Sequence, residues 1–236
     1  MSAIINNNRV LTHLYYDVVS PYSWIAFELL CRYRPQWPSM SLKLKPVFLP
    51  AVFKGAGNPT VLENPSKAKY LFNDVHRLGK YYKIPIRIPD NFIEVASVKT
   101  SLKAMRFITA VDMITDGKST EDLSRQLSKR VFKSHQDVTL ADSLREASQK
   151  GGLNEKTVEK ALVLMEKQEV KDALRKTTDE LVSIGGYGVP TIVVHLADGP
   201  ELVFGSDRME LIGSLLGEKY VGPLNKYSQL MDDSKL

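Results

Sequence analysis

The stretch Tyr15-Tyr-Asp-Val-Val-Ser-Pro-Tyr-Ser-Trp24 decides the fold. It ends an apolar run, residues 10–19, whose β-branched and aromatic content is that of a buried strand. Ser20 then offers an N-cap side chain, and Pro21 stands in the first turn of a helix, where its missing N–H leaves no bond unmade. Trp24, Phe27, Leu30 and Cys31 recur at helical spacing toward Pro35, which predicts a helix of about four turns. Leu42, Leu44 and Pro46 alternate with Lys43 and Lys45, and the run continues through Val47-Phe48-Leu49 as a second strand. Strand, helix, strand is most simply a right-handed parallel crossover.

After Pro50 the pattern changes. A loop rich in Gly, Pro and Asn, residues 55–59, leads into a long stretch of helical periodicity, with helices expected at 65–82, 97–114, 120–134, 139–150 and 155–184, the last one or two helices. Gly185-Gly186 closes the block as a C-cap signal. Beyond it, Thr191–Leu196 and Glu201–Phe204 read as two strands joined across Asp198-Gly199-Pro200, a hairpin by spacing and turn chemistry, and a final helix is expected to start near Asp207.

Composition bounds the function. Of 236 residues, 43% are hydrophobic and 25% charged, as in ordinary globular proteins. No apolar run reaches the length of about 20 residues that crosses a bilayer, and the first ten residues have neither a secretory nor a mitochondrial leader pattern, so neither export nor membrane insertion is expected. Cys31 is the only cysteine, which excludes an internal disulfide and a Cys-x-x-Cys redox centre; any thiol handled here belongs to another molecule. His13, His76, His135 and His195 are scattered without ligand spacing, so no metal is expected. The net charge of +5 suits small anions or nucleic acid, but the basic residues interleave with acidic ones along helical segments, which is a solvated face and not a nucleic-acid surface.

Two turn motifs carry the chemistry, Ser20-Pro-Tyr-Ser23 at a helix start and Gly188-Val-Pro-Thr191 entering a strand. With βαβ before the helical block and ββα after it, they predict an α/β, thioredoxin-like fold with an inserted all-helical domain. In that arrangement a cis peptide before Pro190 would turn the backbone of Val189 outward, free to pair with an extended peptide.

The sequence resembles the kappa-class glutathione transferases. The resemblance runs from about Leu14 to Pro223 and rests on residues 16–24, on Ser101-Leu-Lys-Ala-Met-Arg-Phe107, on Gly188-Val-Pro190 and on Phe204-Gly-Ser-Asp-Arg-Met-Glu-Leu211. It implies a discontinuous glutathione-binding domain, residues 1–60 and 181–236, around a helical domain of residues 61–180. It also implies a homodimer, glutathione as cosubstrate and small hydrophobic electrophiles as its acceptors, with glutathione-dependent peroxide reduction as an extension. The related 2-hydroxychromene-2-carboxylate isomerases supply an alternative activity. A non-catalytic thioredoxin-like interaction protein is a third reading, disfavoured by residues that suit a γ-glutamyl group.

By the resemblance, Ser20 is the catalytic serine. Its hydroxyl titrates too high to attack without a base, and none stands nearby in sequence, so it acts as a donor to the glutathione sulfur. That thiol titrates near about 8.5 when free, and a serine O–H with the free N–H groups of a helix start favours its anion at neutral pH. Serine can replace the attacking cysteine because the sulfur arrives with the substrate. Pro21 and Tyr22 belong to the same contact loop, although Tyr22 could equally pack on the helical domain. Val189, a position where the family commonly has leucine, is expected to pair through its backbone with the cysteinyl unit. Ser206 and Asp207 suit the γ-glutamyl carboxylate and ammonium, and Asp207 with Glu210 also has capping-box spacing. Asn58 and Lys67 complete the set, Lys67 near the glycyl carboxylate. Trp24, Phe27, Trp37, Met105, Met113 and Met165 are either walls of an electrophile site or core, and Cys31 is expected buried and inert. The terminal Ser234-Lys-Leu236 reads as a peroxisomal address, with the mitochondrion as the alternative.

Overall fold

The structure, a computed structural model, describes residues 9–227. Strand β1 (Val10–Tyr16) pairs in parallel with β2 (Met40–Pro46), and between them runs helix α1 (Pro21–Tyr33). After the helical block, β3 (Thr191–Leu196) lies antiparallel to β1 on its other side, and β4 (Gly199–Phe204) lies antiparallel to β3, giving the order β2-β1-β3-β4. Both crossover and hairpin follow the sequence reading. The hairpin turn is tighter than expected: Leu196 pairs with Gly199, so only Ala197 and Asp198 lie between the strands.

Alternation along β1 sends Leu14 and Tyr16 into the main core and Tyr15 into a smaller cluster on the opposite face, with Val47, Val52, Leu181, Val189 and Val193. The main core is continuous from the sheet through α1 into the helical block, and the Trp24 and Phe132 rings stack with centroids 6.0 Å apart. Helix α1 is therefore buried on nearly every side. Its charged residues are accommodated by pairing: Glu28 accepts from Trp24 Nε1 at 3.0 Å and from Arg125 Nε at 3.1 Å.

The second strand does not run on to Leu49. It ends at Pro46, and α2 (Leu49–Ala56) follows, with Pro50 in its first turn and Gly57, at φ 62, closing it. Leu49-Pro50 suits a strand end and a helix start alike, and packing of α2 on the last helix of the block, Gln168–Ser183, selects the helix. The block then comprises α3 (Pro65–Tyr82), the single turn α4 (Phe92–Glu94), α5 (Leu102–Thr115), α6 (Thr120–Phe132), α7 (Ala141–Lys150), α8 (Glu155–Leu164) and α9 (Gln168–Ser183). The helix expected at 97–114 begins only at Leu102, because Val95–Lys99 forms a π-helical turn and Thr100, at φ 55, breaks the chain direction. The stretch 155–184 is two helices. Helix α10 (Met209–Leu215) starts two residues later than expected, so Ser206 and Asp207 lie in the bend after β4 and do not open the helix. No described helix is long and apolar enough to cross a membrane.

Candidate active site

Ser20 caps α1. Its Oγ accepts from the Ser23 N–H at 3.2 Å and donates a long bond, 3.4 Å, to the Val189 carbonyl, while its own N–H donates to Asp17 O at 3.0 Å. The Val189-Pro190 peptide is cis, as expected. Among the described residues no protein acceptor meets the Val189 N–H. The loop carrying Val189 is tied to the end of α2: Asn58 Nδ2 donates to Tyr187 O at 2.8 Å, and the Tyr187 ring lies 4.6 Å from that of Phe204. Gly205 has φ +96, so the turn out of β4 requires glycine, and a Cβ there would stand 2.8 Å from Asp207 Oδ1 and push that exposed carboxylate aside.

These segments border one cleft of about 1100 Å³. Its lining includes Ser20, Pro21, Tyr22, Asn58, Val189, Ser206 and Asp207, but not Lys67, which is exposed on the first turn of α3. The basic residues of the lining are Lys54 and Arg208 instead, neither of which sequence reasoning named; Arg208 directly follows Asp207 and Lys54 lies four residues before Asn58, but nothing local distinguishes them from solvated surface cations. The far wall comes from the helical block, through Leu62, Tyr70, Leu71, Leu78, Phe92 and Ala96, and is largely apolar. Tyr22 bridges the two sides: its hydroxyl donates to Asp74 Oδ2 at 2.9 Å, and burial together with that bond pushes its pKa up, so it stays a protonated donor.

The core candidates divide otherwise than a substrate wall would need. Trp24, Phe27, Trp37, Met105 and Met165 are buried in the core, and Met113 is exposed on α5, outside the cleft. Cys31 is buried, and burial pushes its thiol well up, so it is inert. The position of the second cysteine in a redox motif is held by Ser23, whose Oγ is buried without a hydrogen-bond partner among the described residues. The helix start can stabilise an anionic sulfur but cannot itself supply one.

A family model described as a DsbA-like thioredoxin domain matches residues 13–217, and fold and site together define a thioredoxin-like protein without redox cysteines. The chain is 39% identical over 211 residues to glutathione S-transferase kappa 1 of Homo sapiens, covering 89% of this chain and 92% of that protein. It is 30% identical over 224 residues to glutathione S-transferase kappa 2 of Caenorhabditis elegans, covering 93% and 97%. The chain belongs to the kappa-class glutathione transferase family. The solved structure of 2-hydroxychromene-2-carboxylate isomerase is similar at a TM-score of 0.69 and 20% identity, over 88% of this chain and 94% of that one, which is a likeness of fold.

Proposed function

We infer that the protein is a glutathione transferase that holds the glutathione thiol as its anion at the start of α1 and conjugates it to small hydrophobic electrophiles. The observation that carries this is the convergence of Ser20, Asn58, Val189, Ser206 and Asp207, from four separate parts of the chain, on one cleft whose opposite wall is apolar. In this reading the Ser20 hydroxyl turns its proton from the Val189 carbonyl to the incoming sulfur, and the freed carbonyl and the Val189 N–H take the cysteinyl backbone. Asp207 takes the γ-glutamyl ammonium. Lys54 and Arg208 supply positive charge for the two carboxylates, including the glycyl one that sequence reasoning gave to Lys67. The thiolate then attacks the electrophile, forming a sulfur–carbon bond as the leaving group departs with its electron pair. Calorimetric titration with glutathione, its S-hexyl derivative and a control peptide lacking the γ-linkage tests this; equal binding of the control would favour a peptide-holding role.

The homodimer belongs to the same reading, and sedimentation at micromolar concentration giving a stable monomer would contradict it. A peroxisomal destination is proposed from Ser234-Lys-Leu236, which lies outside the described residues. A fluorescent fusion leaving Leu236 free should be punctate and should disperse when the tripeptide is deleted.

A further inference from the structure

We propose that Asp17 is a positioning residue of the transferase, holding the wall that the helical block gives to the electrophile in register with the loop that presents Ser20; this rests on the glutathione transferase reading of the cleft. Asp17 is fully buried. Its Oδ1 accepts from the Val19 N–H at 3.0 Å, and its Oδ2 accepts from the Leu49 N–H at 2.9 Å and from Ser101 Oγ at 2.6 Å. Among the described residues no cation pairs with it. A buried carboxylate without a cation is a costly way to fill space. What it offers that asparagine or serine does not is an acceptor-only group able to gather three donors at once.

Those donors come from three segments, and each lines the cleft: Val19 and Ser20 on the first, Leu49, Pro50, Phe53 and Lys54 on the second, Ala96, Ser97 and Thr100 on the third. The third segment is the one most in need of an anchor. Thr100 holds φ 55, ψ 169, a region that side-chain-bearing residues rarely occupy, directly after the π-helical turn Val95–Lys99. Such a conformation persists only where its surroundings over-determine it. Ser101, at the N-cap of α5, makes no capping bond to its own helix; its hydroxyl goes to Asp17 instead. The contact joins two family-resembling blocks, residues 16–24 and 101–107, that lie far apart in sequence. Burial pushes the Asp17 carboxyl up to about 6, against which the bonds from Ser101, Leu49 and Val19 act. At neutral pH it is ionised and accepts all three.

The test uses the full chain, glutathione and 1-chloro-2,4-dinitrobenzene. Ser101→Ala removes the link to the third segment alone. Glutathione affinity by calorimetry and the pKa of the bound thiol should stay as in the wild type, while KM for the aryl halide rises about fivefold and kcat/KM falls about tenfold. Ser101→Thr, which keeps the hydroxyl, should restore both. Asp17→Asn, which turns an amide donor toward either the Val19 N–H or the Leu49 N–H and Ser101, should raise the aryl halide KM and also shift the bound thiol's pKa; should it not fold, Ser101→Ala still decides. An unchanged aryl halide KM in Ser101→Ala, with any loss of rate matching a loss of folded protein, would make Asp17 a purely structural anchor and overturn the proposal. If the wild type bound no glutathione the transferase reading would fall first, and this inference with it.

Discussion

Ser20→Ala removes two interactions with different readouts. The first is the donor to sulfur. A hydrogen bond to a charged group contributes about 1.5–3 kcal/mol, but Ser20 must release its bond to the Val189 carbonyl to make it, and a neutral bond contributes about 0.5–1.5 kcal/mol. At 3.4 Å that bond belongs at the weak end. The net gain is then about 1–2.5 kcal/mol, and at about 1.36 kcal/mol per unit the bound thiol's pKa should rise by roughly one to two units in the variant. Conjugation at neutral pH should fall about ten- to a hundredfold, less the partial compensation of a more basic and more nucleophilic thiolate. The second loss is the cap: Ser20 Oγ no longer accepts from Ser23 N–H, which should lower stability by about 0.5–2 kcal/mol. Ser20→Gly separates the two, since glycine at an N-cap costs only a few tenths of a kcal/mol, roughly. Thiolate absorbance of bound glutathione against pH, beside denaturant unfolding, measures both. A thiol pKa unchanged in both variants would mean that the helix start alone stabilises the anion and that Ser20 is only a cap.

Arg125→Met should destabilise the protein by about 3–5 kcal/mol, because Arg125 and Glu28 pair at 3.1 Å with side chains 4% and 2% exposed and the variant leaves Glu28 buried and charged; the double variant with Glu28→Gln should recover much of this in urea unfolding. His13 takes a proton in the fold only near about 4, against 6.5, because burial, then Lys45 and His195, oppose its charge while Glu180 favours it and Lys43 adds a further small opposition. The unfolded chain therefore binds that proton first on acidification, so His13 contributes stability above pH 6.5 that is lost as pH falls through 4, at most about 3 kcal/mol. His13→Asn should flatten the pH dependence of unfolding free energy across that window. Gly205→Ala should lower stability, because φ +96 strains a side-chain-bearing residue, and should weaken glutathione binding in calorimetry, because the added Cβ pushes the Asp207 carboxylate aside.

Much of the scaffold was legible because its signals are local. Ser20-Pro21 marks a helix start, the apolar, β-branched and aromatic content marks β1, alternation marks β2, and the turn residues mark the hairpin. What escaped depends on packing between distant segments. Leu49-Pro50 reads as a strand end until α9 lies against it, and the π turn at Val95–Lys99 has the apolar content of an ordinary helix. The resemblance carried seven of the eight expected site positions onto the cleft lining, but Lys67 sits on an exposed turn while Lys54 and Arg208 face the cleft. A lysine's direction is set by the pose of its helix, and spacing in sequence does not contain that.

If the cleft holds glutathione as proposed, the use of serine in a fold built around a cysteine helix start follows from the Ser23 amide. In a Cys-x-x-Cys protein the attacking sulfur itself stands at the helix start, where free N–H groups and the dipole favour its anion. Here the Ser23 N–H is satisfied by Ser20 Oγ, so that amide is no longer open to an outside sulfur. Serine returns what it takes: having accepted at its oxygen, it still carries a proton, which it gives to the Val189 carbonyl at 3.4 Å in the unliganded site and could turn to an incoming sulfur. With glutathione bound as proposed, the two bonds would run in series, amide to hydroxyl to sulfur, each polarising the next. A thiol tethered to the chain needs no such extension, whereas a thiol arriving on a tripeptide must lie above the helix start, outside the first layer of side chains. On the proposed reading, alanine at position 20 would expose the amide but leave it deeper than the sulfur, so the geometry that makes Ser20 a cap would also let it serve as the donor.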